Sequence, residues 1–194
     1  MEIPGITWRG PKIDDSEILQ KLPLELVTLL KGINGFILHS GVLHVRGACH
    51  APGWHSLRNA WLGPQAFNIL YPDVLPADIP FAQDQLGDQF FLRGSSIVRL
   101  FAETGEVEPF SDSLDVFLEE LHGDIEEFLD VGLSRQTQPG QLLHAYPPFC
   151  MEEAEKGVSL RAIPAMEVIL FHGDLARQLR DVPEGGQIDV ASAD

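Results

Sequence analysis

The sequence is short of positive charge and has no long apolar run. Its 194 residues carry 13 Lys plus Arg against 29 Asp plus Glu, which gives a formal net charge of −16. Phosphate backbones and anionic lipids repel such a chain, so we do not expect it to bind nucleic acid or a membrane surface directly. No apolar run reaches the roughly 18 residues that a bilayer crossing requires. A basic protein is the partner that this charge favours.

Cysteine is rare as well. Cys49 and Cys150 are the two cysteines, and one pair does not make a disulfide framework. Two reduced thiols are typical of a cytoplasmic protein. The first ten residues, MEIPGITWRG, lack a basic region followed by an apolar one, so we expect no secretory signal. These absences together predict a cytoplasmic location.

The motifs of common catalytic and cofactor sites are also missing. No GxSxG, GxGxxG or GxxxxGKS occurs. His39, His44, His50 and His55 lie within a span of 17 residues that includes Cys49, and a metal site there is one hypothesis. Their spacing matches no zinc module, so scattered or internally bonded histidines are the favoured interpretation. We expect no metal, no cofactor and no enzymatic activity.

Three aspartates near the middle of the chain raise the same question. Asp78, Asp84 and Asp88 bring carboxylates together in sequence, as a cation site does. The EF-hand pattern, with a ligand at every second position and a closing Glu, is absent. Turn and capping roles are therefore the favoured interpretation of these side chains.

A series of strand signals is present between residues 78 and 110. Four short apolar segments are separated there by Gly, Asp and Ser. Segments of this length with such boundaries predict a meander of antiparallel strands. The four predicted strands cover residues 79–82, 89–93, 97–101 and 107–110.

Helix signals precede the meander. We predict a short helix over residues 17–21 and a second helix that opens at Pro23 and closes at Gly32. A hairpin with a two-residue loop is predicted from residues 36–39 and 42–46. The chain as a whole predicts an α+β fold. Its core is a twisted, mostly antiparallel sheet with helices packed against it, and a helical extension follows at the C-terminus.

Acidic residues are concentrated after the meander. No Lys or Arg occurs between Leu100 and Ser134, whereas 11 of the 29 acids fall there, mostly opposite the apolar faces of two predicted helices. A solvated helix surface is the simpler interpretation. The sharper hypothesis is an anionic surface that steers a cationic partner and raises association rates by roughly 10- to 1000-fold. The candidate partner-binding residues are Asp112, Asp115, Glu119, Glu120, Glu126 and Glu127.

The C-terminal third is separated by the segment SRQTQPG. We divide the chain into a domain over residues 1–133, a linker over 134–140 and an extension over 141–194 that packs on the core. The apolar run from Val168 to Phe171 suits a helix, although a buried strand is the alternative. We predict the helix.

The order of several segments resembles the SUKH superfamily, also known as the Smi/Knr group. Trp8 comes first, then LPLEL at 22–26, Ile33-Asn34-Gly35, FAQDQLGDQFFL at 81–92 and the acidic LDVFLEEL at 114–121. The resemblance covers about residues 8–131, and residues 158–186 resemble an extension found in a bacterial subset of the group. The residues that match its motif positions are Trp8, Asn34, Gly35, Gly87 and Asp88.

The resemblance implies an α+β domain that works by binding protein. Many bacterial members are thought to be immunity proteins that neutralise polymorphic toxins, often nucleases or deaminases, and the eukaryotic members are regulatory scaffolds. The group has no established catalytic residues, so none is transferred, and we interpret the five motif residues first as fold-forming. The residues 49–64 form a longer insert than the minimal pattern.

These observations predict a non-enzymatic immunity protein that neutralises a bacterial toxin by stoichiometric binding. The partner would be a basic protein, for example a nuclease, whose cleft the acidic surface occupies in place of a phosphate backbone. A regulatory scaffold protein without a toxin partner is the alternative. An enzyme or small-ligand binder built on the histidine-rich insert is the third hypothesis.

Overall fold

The computed structural model describes residues 3–131 and 135–180 and shows the α+β fold that the sequence predicts. Seven strands form one antiparallel sheet in chain order, and two more form a separate antiparallel pair. The strands are β1 (Ile6–Arg9), β2 (Phe36–Leu38), β3 (Leu43–Val45), β4 (Ile79–Asp84), β5 (Gln89–Arg93), β6 (Ser96–Leu100), β7 (Val107–Ser111), β8 (Gln141–Tyr146) and β9 (Ser159–Pro164).

The helices are short, apart from the last one. They are α1 (Ser16–Leu19), α2 (Leu24–Gly32), α3 (Leu57–Leu62), α4 (Phe67–Leu70), α5 (Leu114–Glu120), α6 (Ile125–Leu129) and α7 (Ala165–Arg180). Three-residue to five-residue 3-10 turns lie at His39–Gly41, Gly53–His55 and Glu152–Lys156. Across the described ranges, no helix has both the length and the apolar character needed to span a bilayer.

The predicted meander is confirmed as strands β4 to β7. Its first turn follows from local chemistry, because one oxygen of the Asp84 carboxylate accepts the backbone N–H groups of Leu86, Gly87 and Asp88 at 2.9, 2.9 and 3.1 Å. Gly87 has a φ of 100°, a conformation that side chains with a Cβ rarely adopt. The aspartate and the glycine together reverse the chain between β4 and β5.

The seven-stranded sheet is covered on both faces. Along β5, Phe90 and Leu92 belong to one apolar cluster, whereas Phe91 between them belongs to a second. Successive strand residues point to opposite faces, so the two clusters lie on opposite sides of the sheet. Helices α1, α2, α5 and α6 contribute to the first cluster. Helices α4 and α7 and strand β8 contribute to the second.

The N-terminal predictions hold with one correction. Asp15 caps α1 by accepting the N–H of Ile18. Helix α2 begins at Leu24, one residue after the predicted start at Pro23, and ends at Gly32 as predicted. The hairpin of β2 and β3 also forms, but its connection is longer than the two-residue loop that we predicted. Residues 39–42 connect the two strands, and His39 and Ser40 within this connection adopt left-handed conformations, with φ of 45° and 55°.

The C-terminal segment contains a helix and a hairpin. Helix α7 includes the run from Val168 to Phe171, so the strand alternative there is wrong. The antiparallel pair of β8 and β9 was not predicted, because the long connection between the strands, residues 147–158, carries no short hairpin-turn signal. Thr137, in the predicted linker, is buried, and its N–H donates to the Ser40 carbonyl at 2.8 Å. The predicted boundaries near residue 133 and the final residues 181–194 lie outside the described residues.

Candidate functional site

The six candidate partner-binding residues are all exposed. Five of them lie on α5 and α6, and Asp112 precedes α5. Ser113 starts α5 by accepting the N–H of Val116 at 3.2 Å, and Asp124 caps α6 in the same way. The apolar residues of both helices face the first cluster, so the carboxylates point to solvent. We call Asp112, Asp115, Glu119, Glu120, Glu126 and Glu127 the acidic surface.

The charge of the acidic surface is not compensated. None of its six carboxylates forms an ion pair with any residue that the structure describes. The sequence explains this, because residues 100–134 contain no Lys or Arg. Unpaired carboxylates on two adjacent helices produce a negative field that favours the approach of a cation.

An open groove adjoins the acidic surface. It has a volume of about 840 Å³ and is lined by residues of β1, α2 and α5. Asp115 belongs to both the acidic surface and the wall of the groove, while the buried side chains of Leu114 and Leu118 line its apolar part. Leu24 also lines the groove, with 79% of its surface exposed. No other large apolar side chain among the described residues is as exposed as Leu24.

One stripe of α2 gives the groove its shape. Leu24, Thr28 and Gly32 follow each other at intervals of four residues and therefore share one side of the helix. The Thr28 hydroxyl donates to the Leu24 carbonyl at 2.8 Å, so it does not call for another partner. A Cβ placed on Gly32 would meet no heavy atom within 4 Å. Small side chains thus leave the groove open along the helix.

Charged side chains surround the apolar part of the groove. Glu25 and Asp115 are exposed carboxylates, and Arg9 on β1 is the basic residue among the lining side chains. No ion pair joins any of the three to another described residue. The groove therefore combines apolar surface with a net negative rim.

The histidine-rich insert behaves differently. His44 and His55 are buried and bonded to each other, with Nε2 of His44 2.8 Å from Nδ1 of His55. Nε2 of His55 lies 3.0 Å from the Asn34 carbonyl, which can only accept, so His55 carries its proton on Nε2. His44 then donates to Nδ1 of His55. Burial lowers the pKa of His55 to about 4 and that of His44 well below its ordinary value.

Two tryptophans enclose this histidine pair. The ring of Trp8 lies 5.0 Å from the ring of Trp54 and 4.8 Å from that of His55. Trp54 lies 5.1 Å from His44. The third tryptophan, Trp61, donates its indole N–H to the Pro76 carbonyl at 3.0 Å. Each tryptophan is partly exposed, but its ring is engaged within the fold.

Arg46 lies in the same buried region. Its guanidinium donates to the carbonyls of Pro80 and Ala82 and to the side-chain oxygens of Gln83 and Gln89. Burial without a carboxylate partner lowers the pKa of Arg46 to about 9, so it remains charged at neutral pH. We refer to His44, Arg46, His55, Gln83 and Gln89 as the buried polar cluster.

The two cavities beside the buried polar cluster are small. The cavities that border Trp54 beside Arg46 and beside His44 have volumes of about 20 and 10 Å³. These volumes are close to the space that one water molecule occupies. Across the two described ranges, no group of three or more His, Cys, Asp or Glu side chains is arranged to hold a metal ion. His39 and His50 lie exposed, apart from the buried pair.

Three of the five motif residues, Trp8, Asn34 and Gly35, pack or bond around the histidine pair. The Asn34 side chain donates to the Pro11 carbonyl at 2.9 Å and accepts the Ala48 N–H at 2.7 Å. Gly35 has a φ of 75°, and a Cβ there would lie 2.4 Å from Cε1 of His55. Trp8 packs on the same histidine. These positions shape the fold around the histidine pair.

Gly87 and Asp88 lie at the turn between β4 and β5. The Asp88 carboxylate pairs with Arg99 at 2.7 Å and accepts the Ala102 N–H at 2.8 Å. Burial raises the pKa of Asp84 and of Asp88, and the shared Arg99 guanidinium opposes that rise. Asp78 pairs with Arg93 at 2.6 Å. The turn interpretation is confirmed for Asp84 and for Asp78, whose carboxylate also accepts the Leu75 N–H at 2.8 Å. It is wrong for Asp88, which instead forms an ion pair with Arg99.

The two cysteines are free thiols, and neither is activated. Cys49 is buried, and burial raises its pKa to about 11. Cys150 is exposed as a residue, but partial burial of its thiol and the neighbouring Glu103 carboxylate raise its pKa to about 12. A raised pKa keeps a thiol protonated and unreactive.

Sequence reasoning identified the acidic surface but not the groove beside it. The signal was present in α2, where Leu24, Thr28 and Gly32 repeat at helical spacing on the side that does not face the core. A leucine on the solvent side of a helix is common, so this stripe alone indicates nothing. Only the positions of β1 and α5 turn it into a groove.

Comparison with known proteins gives no relative. No protein-family model, curated protein or solved structure matches the chain. The resemblance to the SUKH superfamily therefore stays a prediction from sequence.

Proposed function

We propose that this chain is a protein-binding module that captures a basic partner through its acidic surface. One observation carries the proposal: six exposed carboxylates on α5, α6 and the residue before them are left without ion-pair partners among the described residues, next to an open groove. Folding does not require such a charge distribution. In protein complexes, complementary charge sets the association rate and the choice of partner, while a few apolar anchors supply most of the affinity.

The more specific form of the proposal is an immunity protein of the SUKH type, acting in the cytoplasm. Its support is the ordered sequence resemblance over residues 8–131. The acidic surface would cover the basic cleft of a bacterial toxin, such as a nuclease, in a one-to-one complex. Free, unactivated thiols are in keeping with a reducing compartment. A regulatory scaffold protein is the alternative that the same resemblance supports.

Charge reversal tests the binding mode. Partners captured by the wild-type chain are identified by mass spectrometry, and association is then measured with the triple variant Glu119→Lys, Glu120→Lys and Glu126→Lys. We expect the association rate to fall about tenfold at low salt and its salt dependence to weaken. The control reverses three exposed glutamates outside the acidic surface, Glu152, Glu153 and Glu167.

The control variant should bind its partner at nearly the wild-type rate. If the triple variant also keeps the wild-type rate and salt dependence, the acidic surface is not the binding surface. Expression of the partner alone then separates the two forms of the proposal. An immunity protein restores growth to cells that its partner poisons, whereas a partner without toxicity identifies a scaffold.

A further inference from the structure

We propose that the groove between β1, α2 and α5 is the docking site for a partner segment that carries an apolar side chain between Lys or Arg residues. The inference rests on the proposed protein-binding function and assigns the anchor that the acidic surface alone lacks. Steering by charge brings a partner close, but residence on the surface requires buried apolar contact.

The apolar part of the site is already formed. Leu24 is 79% exposed at one wall of the groove, while Leu114 and Leu118 are buried along it. The volume of about 840 Å³ lies within the range of roughly 300 to 1,000 Å³ that ligand pockets occupy. A single exposed leucine needs no explanation, but one at the wall of a concave apolar site resembles half of an interface.

Charge selects the class of occupant. Glu25 and Asp115 outnumber Arg9 on the groove, and Asp112 and Glu119 extend the negative field along the same side of the chain. Each of the two lining carboxylates lacks an ion-pair partner within the part of the chain that the structure describes. A Lys or Arg on either side of the anchoring side chain would supply the missing partner.

The same charge disfavours two other occupants. A second copy of the chain brings another net charge of −16 to the groove. The chain's own last residues, 181–194, carry four acids and no Lys or Arg. Like charges at close range oppose both arrangements. A basic segment of a different protein is the occupant that the groove fits.

Two substitutions disrupt the groove without touching the core. Gly32→Trp places a large ring in the groove, where a Cβ meets no atom within 4 Å, and Gly32 is not in a left-handed conformation. Leu24→Ser removes the exposed anchor. The matched control is Ile69→Ser, because Ile69 on α4 is 63% exposed on the opposite side of the sheet. Asp115→Lys is matched by Glu167→Lys, since each acid lies in the first turn of its helix.

A phage-displayed library of random peptides serves as the probe. Clones selected on the wild-type chain are compared for binding to the variants. We expect clones that are rich in Lys or Arg around a Leu, Ile, Phe or Met. Their affinity should fall about tenfold or more with Gly32→Trp, Leu24→Ser or Asp115→Lys, as for loss of an interface anchor. The two control variants should bind them like the wild type.

Several outcomes overturn the inference. Selected clones that are acidic or neutral, clones that bind Gly32→Trp as tightly as the wild type, and a selection that yields no clone all exclude this docking site. Sedimentation that shows a dimer of the wild type and a monomer of Gly32→Trp assigns the groove to a second copy instead. The proposed function survives if a natural partner is sensitive to the reversed glutamates but not to Gly32→Trp. It fails separately if neither change affects that partner.

Discussion

The two faces of the sheet place charged and polar groups in opposite situations. On one face, His44, Arg46 and His55 are buried. The two histidines bond to each other, and the Arg46 guanidinium donates to four acceptors. On the other face, the helices carry exposed carboxylates with no ion-pair partner among the described residues. Buried polar groups must be satisfied for the chain to fold, so their arrangement reports architecture. The exposed acids are under no such requirement.

This difference separates the consequences of mutation. Changes in the buried polar cluster should alter the free energy of unfolding and leave binding rates of the folded fraction unchanged. Changes in the acidic surface should alter binding rates and change the free energy of unfolding by only about 0.5 kcal/mol. The contrast between the two faces is refuted if a variant of the buried polar cluster changes mainly binding, or if a variant of the acidic surface changes mainly stability.

The largest effect is expected at Arg46. Arg46→Met removes a donor that four buried acceptors share. These are the carbonyls of Pro80 and Ala82 and the side-chain oxygens of Gln83 and Gln89. An acceptor that loses its partner bears its full cost of desolvation. We expect the free energy of unfolding, measured by urea denaturation, to fall by about 3 to 5 kcal/mol.

The control for this variant is Arg161→Met, since Arg161 is exposed on β9. Surface substitutions of this kind change stability by about 0.5 kcal/mol or less. A loss below about 1 kcal/mol in Arg46→Met would show that the glutamines reorganise and that the cluster is not needed for the fold.

The next effect is a dependence of stability on pH. Burial lowers the pKa of His55 and of His172 to about 4, below the ordinary value near 6.5, and that of His44 falls in the same direction. The unfolded chain therefore binds more protons than the folded chain between about pH 6.5 and 4. The contribution of His55 and of His172 to stability is complete above about pH 6.5 and decreases as the pH falls, by roughly 2 kcal/mol for each of these two at pH 5. His44 contributes with the same sign.

His172→Leu isolates one part of this effect. Nδ1 of His172 is buried without a hydrogen-bond partner in the described structure, so an apolar side chain suits the site. Denaturation at pH 7 and at pH 5 should differ by about 2 kcal/mol less in this variant than in the wild type. Ile169→Val, on the same helix and in the second apolar cluster, removes packing but no proton and should keep the wild-type difference. Equal pH dependence in His172→Leu and the wild type would contradict the assignment.

The sheet could be predicted from the sequence because its signals are local. The turn at Asp84 and Gly87 forms its hydrogen bonds within the five residues 84–88, and the apolar run of Phe90, Phe91 and Leu92 suits a strand buried on both faces. The pair β8 and β9 depends on contacts across a connection of residues 147–158. No short-range pattern specifies that pairing.

The sites differ in the same way in how far the sequence predicts them. The acidic surface is visible in sequence because charge and helical spacing are local properties. The bond between His44 and His55 and the acceptors of Arg46 come from strands and loops that meet only in the folded chain. The groove likewise requires β1, α2 and α5 together. Sequence reasoning therefore located the charge but not the cavity beside it.

The smallest effect is expected at the acidic surface, and its sign is informative. Glu119→Lys with Glu120→Lys replaces two acids in the last turn of α5 and places a Lys four residues after Asp115. Cations are favourable at the C-terminal end of a helix, and opposite charges at that spacing attract. We expect the free energy of unfolding at low salt to rise by about 0.5 kcal/mol.

Asp115→Lys is the matched variant of opposite sign, because an acid in the first turn of α5 is favourable and a cation there is not. It should lower the free energy of unfolding by a similar amount in the same urea titration. A stabilised double variant would show that folding does not require the wild-type acids, as expected if they serve an interaction outside the chain. A double variant that loses more than about 1 kcal/mol would instead make Glu119 and Glu120 part of the architecture, and the contrast between the two faces would disappear.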